Sequence, residues 1–355
     1  MGENFEASRI RVGILGAGIA GCCLAVGLLQ KPLLDVQLFE RYSDIRVRWS
    51  GLAPHGNAIR AMDLISPKIK RAYFKESHFM AGDEDTEMAI QFKLASGEYA
   101  GVLEEDVVPH QRVHFSKRVA KMEEDPFARK IIVAFEYGTQ DVFDIVFGAE
   151  GVNSPTRKFI LGPDHLSAAS VNHDQWRQFH TTVPMSEAKM VVPVESVNTV
   201  ITYCTPYGFI NAIPLDLGQT FSDWTLQDHD HAPSYYRGRV AMVDDAAHGT
   251  LPHSGNGAAQ AIEDCSVLTG IFLRLTSLDE VEAVFKAYDQ VRIPRSQKIV
   301  EITRSYGRLY SRDPHEIVLD EMKAKMREGG MYINGVDMEA QIESAVDAFE
   351  RFKVI

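Results

Sequence analysis

Cysteine is scarce in this chain of 355 residues: Cys22, Cys23, Cys204 and Cys265 are the only four. None has the spacing of a zinc site or of a dithiol redox centre, so reduced thiols in a cytoplasmic setting are expected, with no metal held by sequence. Positive charge is also short. Lys and Arg number 37 against 49 Asp and Glu, a formal net charge of −12, which sets aside a general nucleic-acid binder because phosphate contacts need a basic face. Long apolar runs are missing but for Val12 to Leu29. That stretch just reaches the length of a membrane span, yet its glycines at fixed spacing and the polar residues before it fit a buried strand, turn and helix better. Repeats, low-complexity tracts and long flexible linkers are absent. What is present, 45% hydrophobic and 24% charged residues, is the composition of a globular chain long enough for two lobes.

The first chemistry-bearing stretch is "RIRVGILGAGIAGCCLAVGLLQ", residues 9–30. An apolar strand runs into Gly16, Gly18 and Gly21 in GxGxxG spacing and then into a helix. Gly16 permits the tight turn, Gly18 lets the backbone approach a pyrophosphate, and Gly21 lets the helix pack on the strand. The phosphates would sit at the positive end of the helix. A second strand, "DVQLFER", ends in Glu40, 19 residues beyond Gly21, where a carboxylate can accept the hydroxyl hydrogens of a ribose. This spacing predicts dinucleotide binding and leaves FAD and NAD both open.

Two later stretches bear on that choice. Residues 141–157, "DVFDIVFGAEGVNSPTR", read as a strand entering a turn with Gly148 and Gly151. Residues 238–264, "GRVAMVDDAAHGTLPHSGNGAAQAIED", read as a strand, a loop and a helix beginning near Gly255 to Gly257. With the first motif, these resemble the three fingerprints of the FAD-dependent aromatic hydroxylases, the single-component flavoprotein monooxygenases, and within them the salicylate-hydroxylase-like members. The resemblance implies that Asp245 bonds the ribityl chain of FAD, that the peptides of Gly255, Gly257 and Ala258 face the flavin pyrimidine edge, and that Gly51 and Ala53 in "SGLAPHGNAIRAM" also contact the cofactor. It implies NADH or NADPH as a transient reductant, oxygen as co-substrate and a small aromatic substrate. Arg177 and Tyr203 match positions that line the substrate pocket; an arginine there pairs with a phenolate or carboxylate and favours an electron-rich ring. A sheet-surface arginine and a core tyrosine are the alternative for these two. Tyr288, Arg292, Pro294 and Arg295 are expected to tie a helix to the flavin lobe, and residues 331–350 to form a final helix.

The chain also departs from the family's pattern. Glu150 stands where an aspartate is usual, Asp244 where a glycine precedes Asp245, and Gly56 where a proline is common. Gln111 occupies the place of a flavin-contacting arginine whose helix is missing, and the span from Lys158 to Gly238 is short for a substrate-covering sheet. "DHDHAP", residues 228–233, is expected to be a solvated loop rather than a metal site.

The expected fold is α/β: a Rossmann-like FAD-binding lobe from residues 1–75, 107–165 and 236–310, a smaller β-rich substrate lobe from 76–106 and 166–235, and a helical C-terminus over 311–355. The expected activity is FAD-dependent monooxygenation of an aromatic or polyketide-derived small molecule. A flavin-binding oxidase, dehydrogenase or cyclisation catalyst, and a degenerate non-catalytic member, stay open as alternatives.

Overall fold

The computed structural model describes residues 9–44, 56–79, 90–92, 108–181, 183–184, 186–187, 190, 201–205, 208–212, 221–312 and 318–354. Its central sheet has the order β14 (Tyr236–Arg237), β15 (Val240–Met242), β9 (Ile145–Gly148), β1 (Ile10–Leu15), β2 (Leu34–Phe39), β5 (Val113–His114). All pairs are parallel except β14 with β15 at one edge. The interior strands β15 and β9 are buried along their whole length. That is why they read as unbroken apolar runs: a parallel strand covered on both faces has no polar side to show.

Helix α1 (Ile19–Leu28) buries nine of its ten residues. It has no polar stripe because one side lies on the sheet and the other on α6 (Gly257–Phe272), which is itself almost wholly buried. Between them in the chain come α2 (Gly56–Ile65), α3 (Pro67–Glu76), α4 (Pro155–Leu161) and the short α5 (Asp245–His248). Helix α2 turns Asn57, Ala58, Ala61, Met62 and Ile65 inward, the spacing of one helical face.

A three-stranded antiparallel sheet of β6 (Val119–Asp125), β7 (Lys130–Phe135) and β8 (Gln140–Phe143) adds its alternate residues Ile131, Val133 and Phe135 to the core. The remaining strands form antiparallel pairs: β3 (Ser77–Phe79) with β4 (Ile90–Phe92), β10 (Arg177–Thr181) with β13 (Phe221–Thr225), and β11 (Ile201–Thr205) with β12 (Gly208–Ala212). Helices α7 (Val281–Tyr310), α8 (Leu319–Asn334) and α9 (Met338–Lys353) close the chain. The α/β sheet, the β-rich second part and the helical C-terminus agree with the sequence reading. Among the described residues no helix is long and apolar enough to cross a membrane.

Candidate cofactor site

Register fixes where the site lies. Leu15 is paired with Phe39 on one side and Gly148 on the other, and Gly148 with Met242. Four parallel strands therefore end on one line, and the loops that follow them all leave from the same edge. Those loops carry Gly16 to Gly18, Glu40, Glu150 and the pair Asp244 and Asp245. The connections from β1 and β9 diverge here, which is where open α/β sheets bind ligands.

The glycine turn is tight on one side and open on the other. Gly16 has φ of +105°, and a Cβ there would lie 2.3 Å from the carbonyl oxygen of Ala149; at Gly21 it would lie 1.9 Å from the carbonyl oxygen of Gly16. At Gly18 a Cβ would meet nothing within 4 Å. Gly18 is also the N-cap of α1 and offers no side chain to the first-turn amides, which leaves them available to an anion. Glu40 accepts hydrogen bonds from the backbone N–H of Ala17 and of Tyr42, each at 3.0 Å. Its carboxylate thus stitches the turn to the end of β2 and keeps lone pairs for further donors.

The second loop is knitted from within. Burial raises the pKa of Glu150, against the opposing effect of hydrogen bonds from the hydroxyls of Thr156 and Ser154. Ser154 in turn caps α4 by accepting from the N–H of Arg157. The fully buried Arg157 donates to the carbonyls of Ser167, Ala246, Ala247 and Asp230, joining this loop to α5.

The third loop holds Asp244 at φ +61°, ψ −148°, a backbone region that is essentially glycine's alone. Its N–H donates to Asp264 at 2.9 Å. Asp245 opens α5, its pKa raised by burial and restrained by His248 and the N–H of Thr250. Gly255, at φ +63°, ends a 3-10 turn over Pro252–Ser254; Asn256 then precedes Gly257 and Ala258 at the start of α6, with no side-chain cap.

A buried charged network supports this loop from beneath. Arg292 donates to Asp264 and Glu263, both at 2.7 Å, and Arg295 donates to both oxygens of Glu263. His248 lies 2.6 Å from Asp264. Burial alone would raise Asp264; His248 and Arg292 outweigh it and hold the carboxyl down at about 2. The expected role of Arg292 and Arg295 in tying α7 to the sheet lobe is what these bonds do.

On the side of the β pairs, an aromatic cluster meets the third loop. His253 lies 5.1 Å from both Trp176 and Phe209, and Phe209 lies 5.2 Å from Tyr310. Burial lowers His253 to about 4, so it is neutral at physiological pH. Among the described residues, Trp176 Nε1, both ring nitrogens of His253, Thr250 Oγ1 and Asn256 Nδ2 are buried without a hydrogen-bond partner. Buried polar atoms are normally paired, so this concentration around one loop marks where a ligand's polar groups would complete the site.

The residues proposed from sequence are therefore not all in one place. Gly16, Gly18, Gly21, Glu40, Asp245, Gly255, Gly257 and Ala258 share the strand-end edge and its loops. Gly51 and Ala53 lie outside the described residues. Arg177 is exposed, its guanidinium 5.8 Å from the ring of Phe179, and strand alternation puts it on the opposite side from Trp176. Tyr203 sits in β11 in register with Ile210. Sequence reasoning passed over Trp176, Thr250 and Asn256, which carry no motif of their own. The "DHDHAP" stretch differs from expectation: Asp228 and His229 are buried, and Arg304 of α7 reaches Asp228 and the carbonyl of His229. At Gln111, which is exposed, a 3-10 turn leads directly into β5, with no intervening helix. Neighbouring Arg112 is committed to Asp35 and to the carbonyl of Val36.

A family model described as "FAD binding domain" matches residues 209–303. The chain is 29% identical to a 6-methylsalicylate 1-monooxygenase of Aspergillus terreus (strain NIH 2624 / FGSC A1156), over 97% of this chain and 93% of that one. It is 26% identical to a salicylate hydroxylase of Sarocladium schorii, over 85% and 82%. The first alignment runs over 416 positions, more than the 355 residues available here, so that relative carries segments this chain lacks. A solved salicylate hydroxylase substrate complex shares the fold with a TM-score of 0.78, at 21% identity, covering 96% of this chain and 98% of that one.

Proposed function

Because the chain belongs to the FAD-dependent aromatic hydroxylases, we propose that it takes electrons from NADH or NADPH and places one atom of oxygen on the ring of a small phenolic or polyketide-derived substrate, the other leaving as water. FAD, when bound, supplies the storage of two electrons and the activation of oxygen. The chain's own residues supply binding and charge. Gly16, Gly18 and Gly21 with the first turn of α1 receive the pyrophosphate, Glu40 the ribose hydroxyls and Asp245 the ribityl chain. Gly51 and Ala53 belong to the same proposed set. The amides of Gly255, Gly257 and Ala258, at the positive end of α6, stabilise negative charge at the pyrimidine edge, and Thr250 and Asn256 find the partners they lack. Trp176 and the neutral His253 offer hydrogen bonds to a ring substituent, with Phe209 and Tyr310 as apolar walls. The resemblance alone puts Arg177 and Tyr203 on the substrate side; the exposed Arg177 lies on the face opposite Trp176, so of the two neighbours it is Trp176 that meets His253.

The observation that carries this reading is the alignment of four strand ends at Met242, Gly148, Leu15 and Phe39, which gathers the three glycine-bearing loops on one edge. Its test is a visible spectrum of the purified protein supplemented with FAD. NAD(P)H oxidation, oxygen uptake, peroxide release and product mass are then followed with salicylate and methylsalicylate as first probes. A flavin spectrum and a product heavier by one oxygen support the proposal. Absence of bound flavin overturns it. Stoichiometric peroxide with unaltered ring would favour the oxidase reading, to which the direct passage from Gln111 into β5, with no helix between them, lends weight.

A further inference from the structure

The strained position in the third loop bears on how the cofactor is held. Asp244 adopts a backbone conformation suited to glycine, yet it carries a carboxylate, and among the described residues no cation pairs with that carboxylate. The titratable groups that act directly on it are acids and thiols. Asp245 follows it on α5, Asp264 and Cys265 approach from α6, and Cys23 approaches from α1. The nearby cation, Arg292, and the ring of His248 are both engaged by Asp264.

Met242 and Leu15 are two strand spacings apart across β9, roughly 10 Å. The loop of Asp244 and the glycine turn at α1 thus open on the same edge, and a dinucleotide laid along that edge brings two phosphate charges towards Asp244. An ionised carboxylate there opposes the ligand, whereas a protonated one does not and can donate a hydrogen bond to it.

Resting on the FAD reading above, we propose that Asp244 makes FAD binding proton-linked: the cofactor is held tightly when this side chain is protonated and released as it ionises. The direction follows from linkage, since a group whose ionised form repels the ligand is found protonated more often in the complex, and binding takes up a proton. Burial, with Asp245 and Asp264 beside it, already lifts Asp244 well above the ordinary carboxylate range, the N–H of Asp245 acting against this. Bound phosphates lift it further.

The test is the dissociation constant of FAD, measured by flavin fluorescence between pH 5.5 and 9 for the full chain and for D244N and D244G. For the unmodified chain affinity should fall as pH rises, by at most tenfold per pH unit over the range in which one proton is lost. Both variants should lose this slope and bind at least tenfold more tightly at pH 8.5. D244N keeps the side chain's size in case removal of it disturbs the loop. A second readout needs no flavin: the melting midpoint of the FAD-free D244N protein should exceed that of the unmodified chain by a margin that grows with pH. A common pH profile for all three proteins, or weaker binding by both variants at pH 8.5, overturns the proposal. If none of them binds FAD at any pH, the FAD reading itself fails and takes this one with it.

Discussion

Replacing Arg292 by methionine should cost the protein a large share of its stability, and more at neutral pH than in acid. The guanidinium is fully buried and meets Asp264 and Glu263, each itself 0% exposed. Removing one partner of such a pair costs about 3–5 kcal/mol, because the charge left behind is buried without compensation. Here the loss is softened: Glu263 keeps Arg295, and Asp264 keeps His248 and the N–H of Asp244. The lower end, about 3 kcal/mol, is therefore expected, more than a hundredfold in the folding equilibrium and a sizeable fraction of a typical 5–15 kcal/mol. Asp264 lies at about 2 in the folded protein, below its value of about 3.9 when unfolded. Its contribution is thus present above pH 4 and lost as pH falls towards 2. In the methionine variant the carboxyl is held less firmly and takes its proton sooner, so the gap between the two proteins should narrow towards pH 4. Urea denaturation at pH 7 and pH 4.5 measures both quantities. A difference below about 1 kcal/mol at pH 7, or a gap that widens in acid, refutes the assignment of the network as a support of the third loop.

Glu40→Ala should weaken FAD binding at least tenfold in a fluorescence titration, since charge-assisted hydrogen bonds contribute about 1.5–3 kcal/mol each; unchanged affinity would remove Glu40 from the site. Gly18→Val should leave the FAD-free protein folded, because a Cβ there meets nothing within 4 Å, and should still abolish flavin retention. Normal retention would dissociate the turn from the pyrophosphate. Asp289→Asn should stabilise the protein by up to about 3 kcal/mol at pH 8, the worth of a carboxyl lifted from about 4 to about 6, and leave it unchanged at pH 4. Burial raises Asp289 to about 6, while Ser234 and the N–H of Tyr235 oppose it, so the native carboxyl destabilises the fold progressively as pH climbs from about 4 to 6. Equal denaturation curves for both proteins at pH 8 would contradict that sign.

The parts that could be read from sequence are those set by short-range spacing. Gly16, Gly18 and Gly21 fall within six residues; Gly16 and Gly21 carry the steric duty of a turn before a helix, and Gly18 leaves the outer side of that turn open. Glu40 is one strand further on. The placement of Trp176 instead of Arg177 towards His253 was not legible, because a strand's phase decides which of two neighbours faces inward and a one-residue slip exchanges them. Nor was the burial of Asp228 and His229, whose partners are distant in sequence: Arg304 bonds Asp228 from a helix 76 residues away, and the N–H of His229 donates to the carbonyl of Gly249. Asn256 and Thr250 stand out only once their missing partners are seen. The expectation for Arg292 and Arg295 succeeded because a family pattern marked them; their carboxylate partners on α6 are fixed by packing and carry no local signal.

The direct passage from the 3-10 turn at Gln111 into β5 leaves the strand-end edge intact, and the backbone shows why. The N–H of Glu40 donates to the carbonyl of His114 at 2.8 Å, and the N–H of Lys117 donates to the carbonyl of Glu40 at 2.8 Å. Strand β5 is thus locked to the end of β2 by main-chain bonds that need no intervening helix, and Arg112 fastens the same junction through Asp35. The edge is a property of strand register, whereas cover over that edge is a property of the connecting segments. A chain can shorten the second without disturbing the first. What such shortening puts at stake is the exclusion of water from the reacting centre, on which efficient oxygen transfer depends. The ratio of ring oxygenation to peroxide release is consequently the quantity in which this chain should differ most from its longer relatives, more than in its ability to hold FAD at acidic pH.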